Sequence, residues 1–180
     1  MIRNTLLAFF LFLLSIQIGK ATPPDSITIY IFLLDECRIC QEMAPFLRET
    51  YAQSKEAGYG MAGFFPNKAT NREGMEKFRK KHKILFPLSL DYEKLWARQF
   101  KATILPEIIL FNEDSKQIVY RGAVNDLFYA PGKRRHRVSN HYVKDAIFAL
   151  QNGGSPNISE TQPIGCFINY SENEIYHHEK

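Results

Sequence analysis

The chain has 180 residues, enough for one domain with a hydrophobic core, and no internal repeat divides it. Its net charge of +4 is modest. The one basic cluster, Gly132-Lys133-Arg134-Arg135-His136-Arg137, reads as a solvated loop before a helix, which turns the reading away from nucleic acid as a partner.

In chain order, Arg3 precedes an apolar run over residues 6–14, extended by Ile16 and Ile18, and Gly19 and Ala21 follow it. This is the layout of a secretory signal peptide over residues 1–21, with an apolar core short for a membrane span; an uncleaved anchor is the rival reading. Cleavage after Ala21 places the mature chain outside the cytoplasm, periplasmic or secreted, with no stable membrane insertion. In an oxidising compartment a close cysteine pair points to disulfide chemistry before zinc.

SITIYIFLL (26–34) is apolar on both faces, as a central strand covered on both sides requires. Ile39, Met43, Phe46, Leu47 and Tyr51 recur at helical spacing over 38–57, up to Gly58. GMAGFF (60–65) is a second buried strand. Asn71 is placed to cap a helix running to about His82, with Met75 and Phe78 inward. An extended segment at 86–90 and a short helix at 92–100 follow. ILPEIILF (104–111) and QIVYRG (117–122) are strands joined by a turn-rich connection. A last helix over 139–151 presents Val143, Ala146, Ile147 and Leu150 to the core and ends at Gly153-Gly154-Ser155-Pro156. Parallel crossovers, then a hairpin and a covering helix, predict an α/β sandwich with a mixed sheet in a domain over 22–152 and an extension over 153–180.

Chemistry concentrates at Cys37-Arg38-Ile39-Cys40, where an apolar strand gives way to a helix. A dithiol spaced i, i+3 on a first helical turn suits redox exchange: the helix N-terminus favours a thiolate at the first sulfur, and the second can attack whatever disulfide the first one makes. The same spacing fits a structural disulfide or half a metal site. A zinc site needs about four ligands, and no second CxxC or well-spaced His pair accompanies this one.

Three features add a resemblance. Pro45 follows Cys40 by five residues, Thr103-Ile104-Leu105-Pro106-Glu107-Ile108-Ile109-Leu110-Phe111 looks like a cis-proline loop entering a hairpin, and Leu85-Phe86-Pro87-Leu88-Ser89-Leu90-Asp91 is similar to the segment before it. In that order they resemble the thioredoxin-like superfamily over residues 26–151. Tyr120-Arg121-Gly122-Ala123-Val124-Asn125-Asp126, His141-Tyr142-Val143 and Thr161-Gln162-Pro163-Ile164-Gly165-Cys166-Phe167-Ile168 resemble its exported redoxin-domain branch, of TlpA/ResA type.

The resemblance implies a three-layer α/β sandwich with a mixed central sheet and helices on both faces. It also implies thiol–disulfide exchange with protein substrates or a membrane redox donor, without a cofactor or a metal. Cys37 would attack and Cys40 resolve. Leu105–Pro106 would be a cis bond whose loop faces the sulfurs and pairs its backbone with substrate.

The sequence also departs from that pattern. Glu36 replaces the usual tryptophan, and Ile31 stands where thioredoxins carry a buried proton-handling aspartate, which leaves Glu107 as the nearest substitute. Arg38 should favour a Cys37 thiolate while Asp35 and Glu36 oppose it. Leu34 stands where thiol peroxidases carry a threonine. Cys166 has no obvious partner: a buried apolar tail residue, a third sulfur near Cys37, a metal ligand and an intermolecular disulfide are its readings. The alternative on the same fold is copper handling, since thiolates select Cu(I), with His136 or His141 as third ligand. His177 and His178 sit in a polar tail.

Overall fold

The computed structural model describes residues 26–171; the signal-peptide reading and His177–His178 lie outside them. Ile27, Ile29 and Ile31 on one face and Tyr30 and Phe32 on the other are all buried, so β1 (Ile27–Phe32) is the doubly covered centre that its composition requires. It pairs in parallel with β2 (Gly60–Phe65), which pairs in parallel with β3 (Leu88–Leu90). On its other side β1 runs antiparallel to β5 (Glu107–Asn112), and β5 to β6 (Gln117–Gly122), giving the order β3-β2-β1-β5-β6. This mixed sheet, with helices on both faces, is the expected thioredoxin-like sandwich.

One face carries α1 (Arg38–Glu56), α2 (Arg72–Lys81) and α4 (Tyr142–Gln151). Tyr51 of α1 packs on Phe86, Phe78 of α2 sits edge-on to Phe65, and Val143, Ala146 and Ile147 of α4 are buried. The opposite face holds α3 (Leu95–Gln99), whose Trp96 stacks on Tyr30 and Phe64, with Phe100 and Phe111 alongside. Such ring contacts each add about 0.5–1.5 kcal/mol beyond area burial. Asn71 caps α2 by accepting the Gly74 N–H at 2.9 Å.

Three expectations need correction. The strand expected over 104–111 is broken at Pro106: β4 (Ile104–Leu105) leaves the main sheet and pairs with β9 (Cys166–Phe167). The basic cluster is partly a hairpin, β7 (Phe128–Ala130) with β8 (Lys133–Arg134), closed over Gly132 at φ 71° and tied to α1 by Arg134–Glu42 at 2.6 Å. The last helix starts at Tyr142, later than expected, because Asp126 binds the Ser139 and Asn140 amides at 2.8 and 3.1 Å and holds them outside it. Among the described residues no helix is long and apolar enough to cross a membrane.

Candidate active site

β1 ends at the sheet's edge of layers, the chain turns through Asp35 and Glu36, and α1 begins with Cys37 at its N-cap and Cys40 in its first turn. Both sulfur residues are buried, Cys40 completely and Cys37 with 3% of its surface exposed. The attacking cysteine is therefore shielded like its neighbour, and the cover over it includes the chain's own C-terminal segment. β9 lies antiparallel to β4, with Leu105 opposite Cys166. The Cys166 thiol sits 3.0 Å from the Cys37 sulfur, and the Leu105 carbonyl is 3.5 Å from that same sulfur. All three cysteines are free thiols. Cys166 is half-buried, so the reading of it as a buried apolar tail residue is met only in part.

The Cys37 thiol is pulled from the ordinary 9.0 to about 5. The Cys40 thiol, donating to it, is the largest cause; burial opposes; the Cys166 thiol and the N–H groups of Cys40 and Ile39 add to the pull. The helix start thus acts through discrete amides, as the sequence pattern suggested. The flanking charges do not enter as expected. The exposed Arg38 turns to Glu42 at 2.8 Å, and the Asp35 carboxylate accepts from Thr70. Burial, then the Cys37 hydrogen bond and charge, hold the Cys40 thiol well above its ordinary range. Burial and Cys37 likewise raise Cys166 to about 11.

Leu105–Pro106 is a cis bond. Pro106, Ile39 and Met43 border a small recess that Phe128 and Ile164 also line. Glu107 is buried, but its carboxylate accepts from Arg121 at 2.7 Å and from the Thr103 N–H at 3.1 Å. Among the described residues no group of three or more His, Cys, Asp or Glu side chains is arranged to hold a metal ion, so neither His136 nor His141 joins the sulfurs as the copper reading needs.

Residues 23–121, a little over half the chain, match the AhpC/TSA family. The chain belongs to this family. With the sheet order and helix placement above, that makes it a thioredoxin-like redoxin domain. No curated protein matches the chain. Two solved structures share the fold across most of both chains. An uncharacterized conserved protein from Geobacillus kaustophilus has 22% identity over 81% of this chain and 78% of its own, with TM-score 0.68. A hypothetical protein from Sinorhizobium meliloti 1021 has 19% identity over 81% and 80%, with TM-score 0.70. StoA from Bacillus subtilis is similar over 55% of this chain and 74% of its own, at 22% identity and TM-score 0.48. The family match stops at Arg121, so Cys166 lies beyond it.

Sequence reasoning missed what docks this tail. Gly122 has φ 131°, and a side chain there would strike Thr161; a β-carbon on Gly165 would strike the Leu105 carbonyl. Asn67 clasps β9 from the other side, donating to the Phe167 carbonyl at 3.0 Å and accepting the Asn169 N–H at 2.9 Å. A glycine closing β6, a glycine before β9 and a lone asparagine carry no periodicity that would mark such a seat.

Proposed function

We propose that this redoxin-domain protein is an exported thiol–disulfide oxidoreductase whose catalytic pair is Cys37 and Cys40, acting on protein thiols or disulfides or on a membrane redox donor. The observation that carries the reading is the opposite displacement of two neighbouring thiols on one helical turn. Cys37 is ionised at neutral pH, and Cys40 is held protonated beside it. A thiolate is the nucleophile in exchange, so Cys37 attacks one sulfur of a substrate disulfide and the other sulfur departs as a thiolate that takes up a proton.

Two of the three largest causes holding the Cys40 proton are the Cys37 hydrogen bond and charge. Both vanish once Cys37 is in a mixed disulfide. Cys40 then loses its proton more readily, attacks the Cys37 sulfur, and expels the substrate as a thiol, leaving Cys37–Cys40 oxidised. Formation of the mixed intermediate thereby triggers its own resolution.

Pro106 and Glu107 enter the proposal beside the pair. Pro106 walls the recess next to Ile39. Glu107, with its carboxylate held by Arg121 and the Thr103 amide, acts as a positioning residue for the loop and not as the proton acceptor that its place in the sequence suggested. Export rests on the layout of residues 1–21, and the domain on residues 22–152.

Exchange with an unfolded disulfide-bonded protein tests the reading. The reduced wild type should open the substrate's disulfides, Cys37→Ser should be inactive, and Cys40→Ser should be strongly slowed in releasing reduced product. Equal activity of the wild type and Cys37→Ser would sink it.

A further inference from the structure

The segment carrying Cys166 is seated along its length, which is unlike a trailing terminus. Arg121 in β6 donates its N–H to Ser159 at 2.9 Å and accepts that of Thr161 at 3.0 Å. The Thr161 hydroxyl accepts from the Ala123 N–H at 2.9 Å and lies 2.7 Å from the Tyr120 hydroxyl. Further on, the Ile168 N–H reaches the Thr103 carbonyl at 2.9 Å, Ile168 is buried, and the Tyr170 hydroxyl donates to Ala102. At Gly122 and Gly165 tail and domain approach so closely that a β-carbon would strike backbone, and both positions lack one. These contacts fix Cys166 opposite Leu105, with its sulfur 3.0 Å from that of Cys37. The separation is inside the usual contact of two sulfurs and about 1 Å longer than a disulfide bond. Phe167, next in the strand, points to solvent with 77% of its surface exposed, so apolar burial of β9 is not what places the cysteine.

We propose that Cys166 is a third redox residue of this site, forming a disulfide with Cys37 as an alternative to Cys40. The inference rests on the dithiol reading above and extends it. When Cys37 carries a mixed disulfide with a substrate sulfur, two thiols can attack it. Cys40 is fully buried in the first turn of α1, and Cys166 lies on β9, paired with β4. Attack by the Cys166 sulfur forms Cys37–Cys166 and breaks the Cys37–substrate bond, and the departing sulfur takes the proton that Cys166 gives up. The substrate disulfide has then been reduced to two thiols, and two protein thiols have been oxidised. Cys40 can next attack Cys37, forming Cys37–Cys40 and returning Cys166 as a thiol. That last step is an isomerisation and needs no further oxidant.

β9 also occupies the backbone edge of β4, which the resemblance assigns to substrate. The same strand that delivers the third sulfur therefore fills the place of a substrate strand, and reaction of Cys37 with an external protein requires it to move aside.

Equilibration with glutathione and glutathione disulfide, acid quenching, alkylation and peptide mapping by mass spectrometry test the assignment in three variants. Cys40→Ser should end as an intramolecular Cys37–Cys166 disulfide with no glutathione retained, whereas Cys40→Ser/Cys166→Ser should hold glutathione on Cys37. If Cys40→Ser keeps glutathione on Cys37 to the same extent as the double variant, or pairs only between molecules, the inference is overturned. Cys166→Ser reports on the dithiol reading separately. If it forms Cys37–Cys40 while Cys40→Ser fails to close, only the third-sulfur assignment fails; if it forms no Cys37–Cys40, the dithiol reading fails as well. Cys166→Ala replaces the serine variant should that one lose its cooperative thermal transition.

Discussion

Gly165→Ala isolates the cover over Cys37 without touching a sulfur. A β-carbon at Gly165 would sit 2.6 Å from the Leu105 carbonyl carbon and closer still to its oxygen, both backbone atoms of β4. Ordinary contact begins near 3.4 Å, so β9 must withdraw by more than about 0.8 Å. The Cys166 thiol, now 3.0 Å from Cys37, is drawn away with it, and its hydrogen bond to the Cys37 sulfur weakens. The ladder between β4 and β9 and the Ile168–Thr103 bond weaken with it. Two or three net hydrogen bonds at about 0.5–1.5 kcal/mol each amount to roughly 2 kcal/mol. In a chain of this size that lowers Tm by about 4–8 °C. Alkylation of the reduced protein across pH reads the site itself. The Cys37 midpoint should rise from about 5, because one of the donors to its thiolate is weakened, and the plateau rate should increase, because the cover has drawn back. An unchanged midpoint and plateau with unchanged Tm would refute the packing of β9 against Leu105 as the shield of Cys37.

Other outcomes follow from the same contacts. Cys37 is ionised in the fold down to about 5 but only above its ordinary 9.0 when unfolded, so in that window the unfolded chain binds the extra proton and folding stability rises with pH. Cys40 and Cys166 are shifted upward, and their protons oppose stability only above their ordinary range. In urea denaturation of reduced protein, the advantage of the wild type over Cys37→Ser should therefore widen from about pH 5 to 9; a flat difference contradicts the assignment. Glu107→Gln leaves the Arg121 guanidinium without its carboxylate in a largely buried pair and should cost about 3 kcal/mol of stability. It should leave the pH midpoint of Cys37 alkylation in place, and a shifted midpoint would restore Glu107 as a proton-handling group. Asn71→Ala removes the side-chain acceptor of the Gly74 N–H and should cost about 1 kcal/mol without altering exchange, as thermal melts and the exchange assay together will show.

The parts of the fold legible in the sequence are those with a repeating physical demand. A strand apolar on both faces, Ile27–Phe32, has to lie at the centre of a covered sheet, and it does. Asn71 before a period of inward Met75 and Phe78 has to cap a helix, and it does. The dithiol on the first turn of α1 and the cis bond before Pro106 came from motif and resemblance, and both are in place. What stayed hidden depends on pairings distant in sequence. Two-residue strands such as Ile104–Leu105 and Cys166–Phe167 are too short to show alternation, and their partnership spans some sixty residues. Because that pairing was invisible, so was the burial of Cys37, and the approach of Cys166 stood as only one of several readings of that residue. Glu107 looked like a proton-handling substitute because its partner, Arg121, lies on the next strand and is not visible as such in the sequence. Arg38 and Asp35 misled as neighbours of Cys37 in sequence, since Glu42 and Thr70 draw their charged ends away.

The most direct test of the central claim is a redox titration of the wild-type protein in glutathione buffers, with disulfides mapped at each step. The account predicts one two-electron transition, falling within the roughly −270 to −120 mV spanned by thioredoxin-fold dithiols, whose fully oxidised product is Cys37–Cys40 with Cys166 a free thiol. A chain whose Cys37 and Cys40 remain thiols across that range would contradict it.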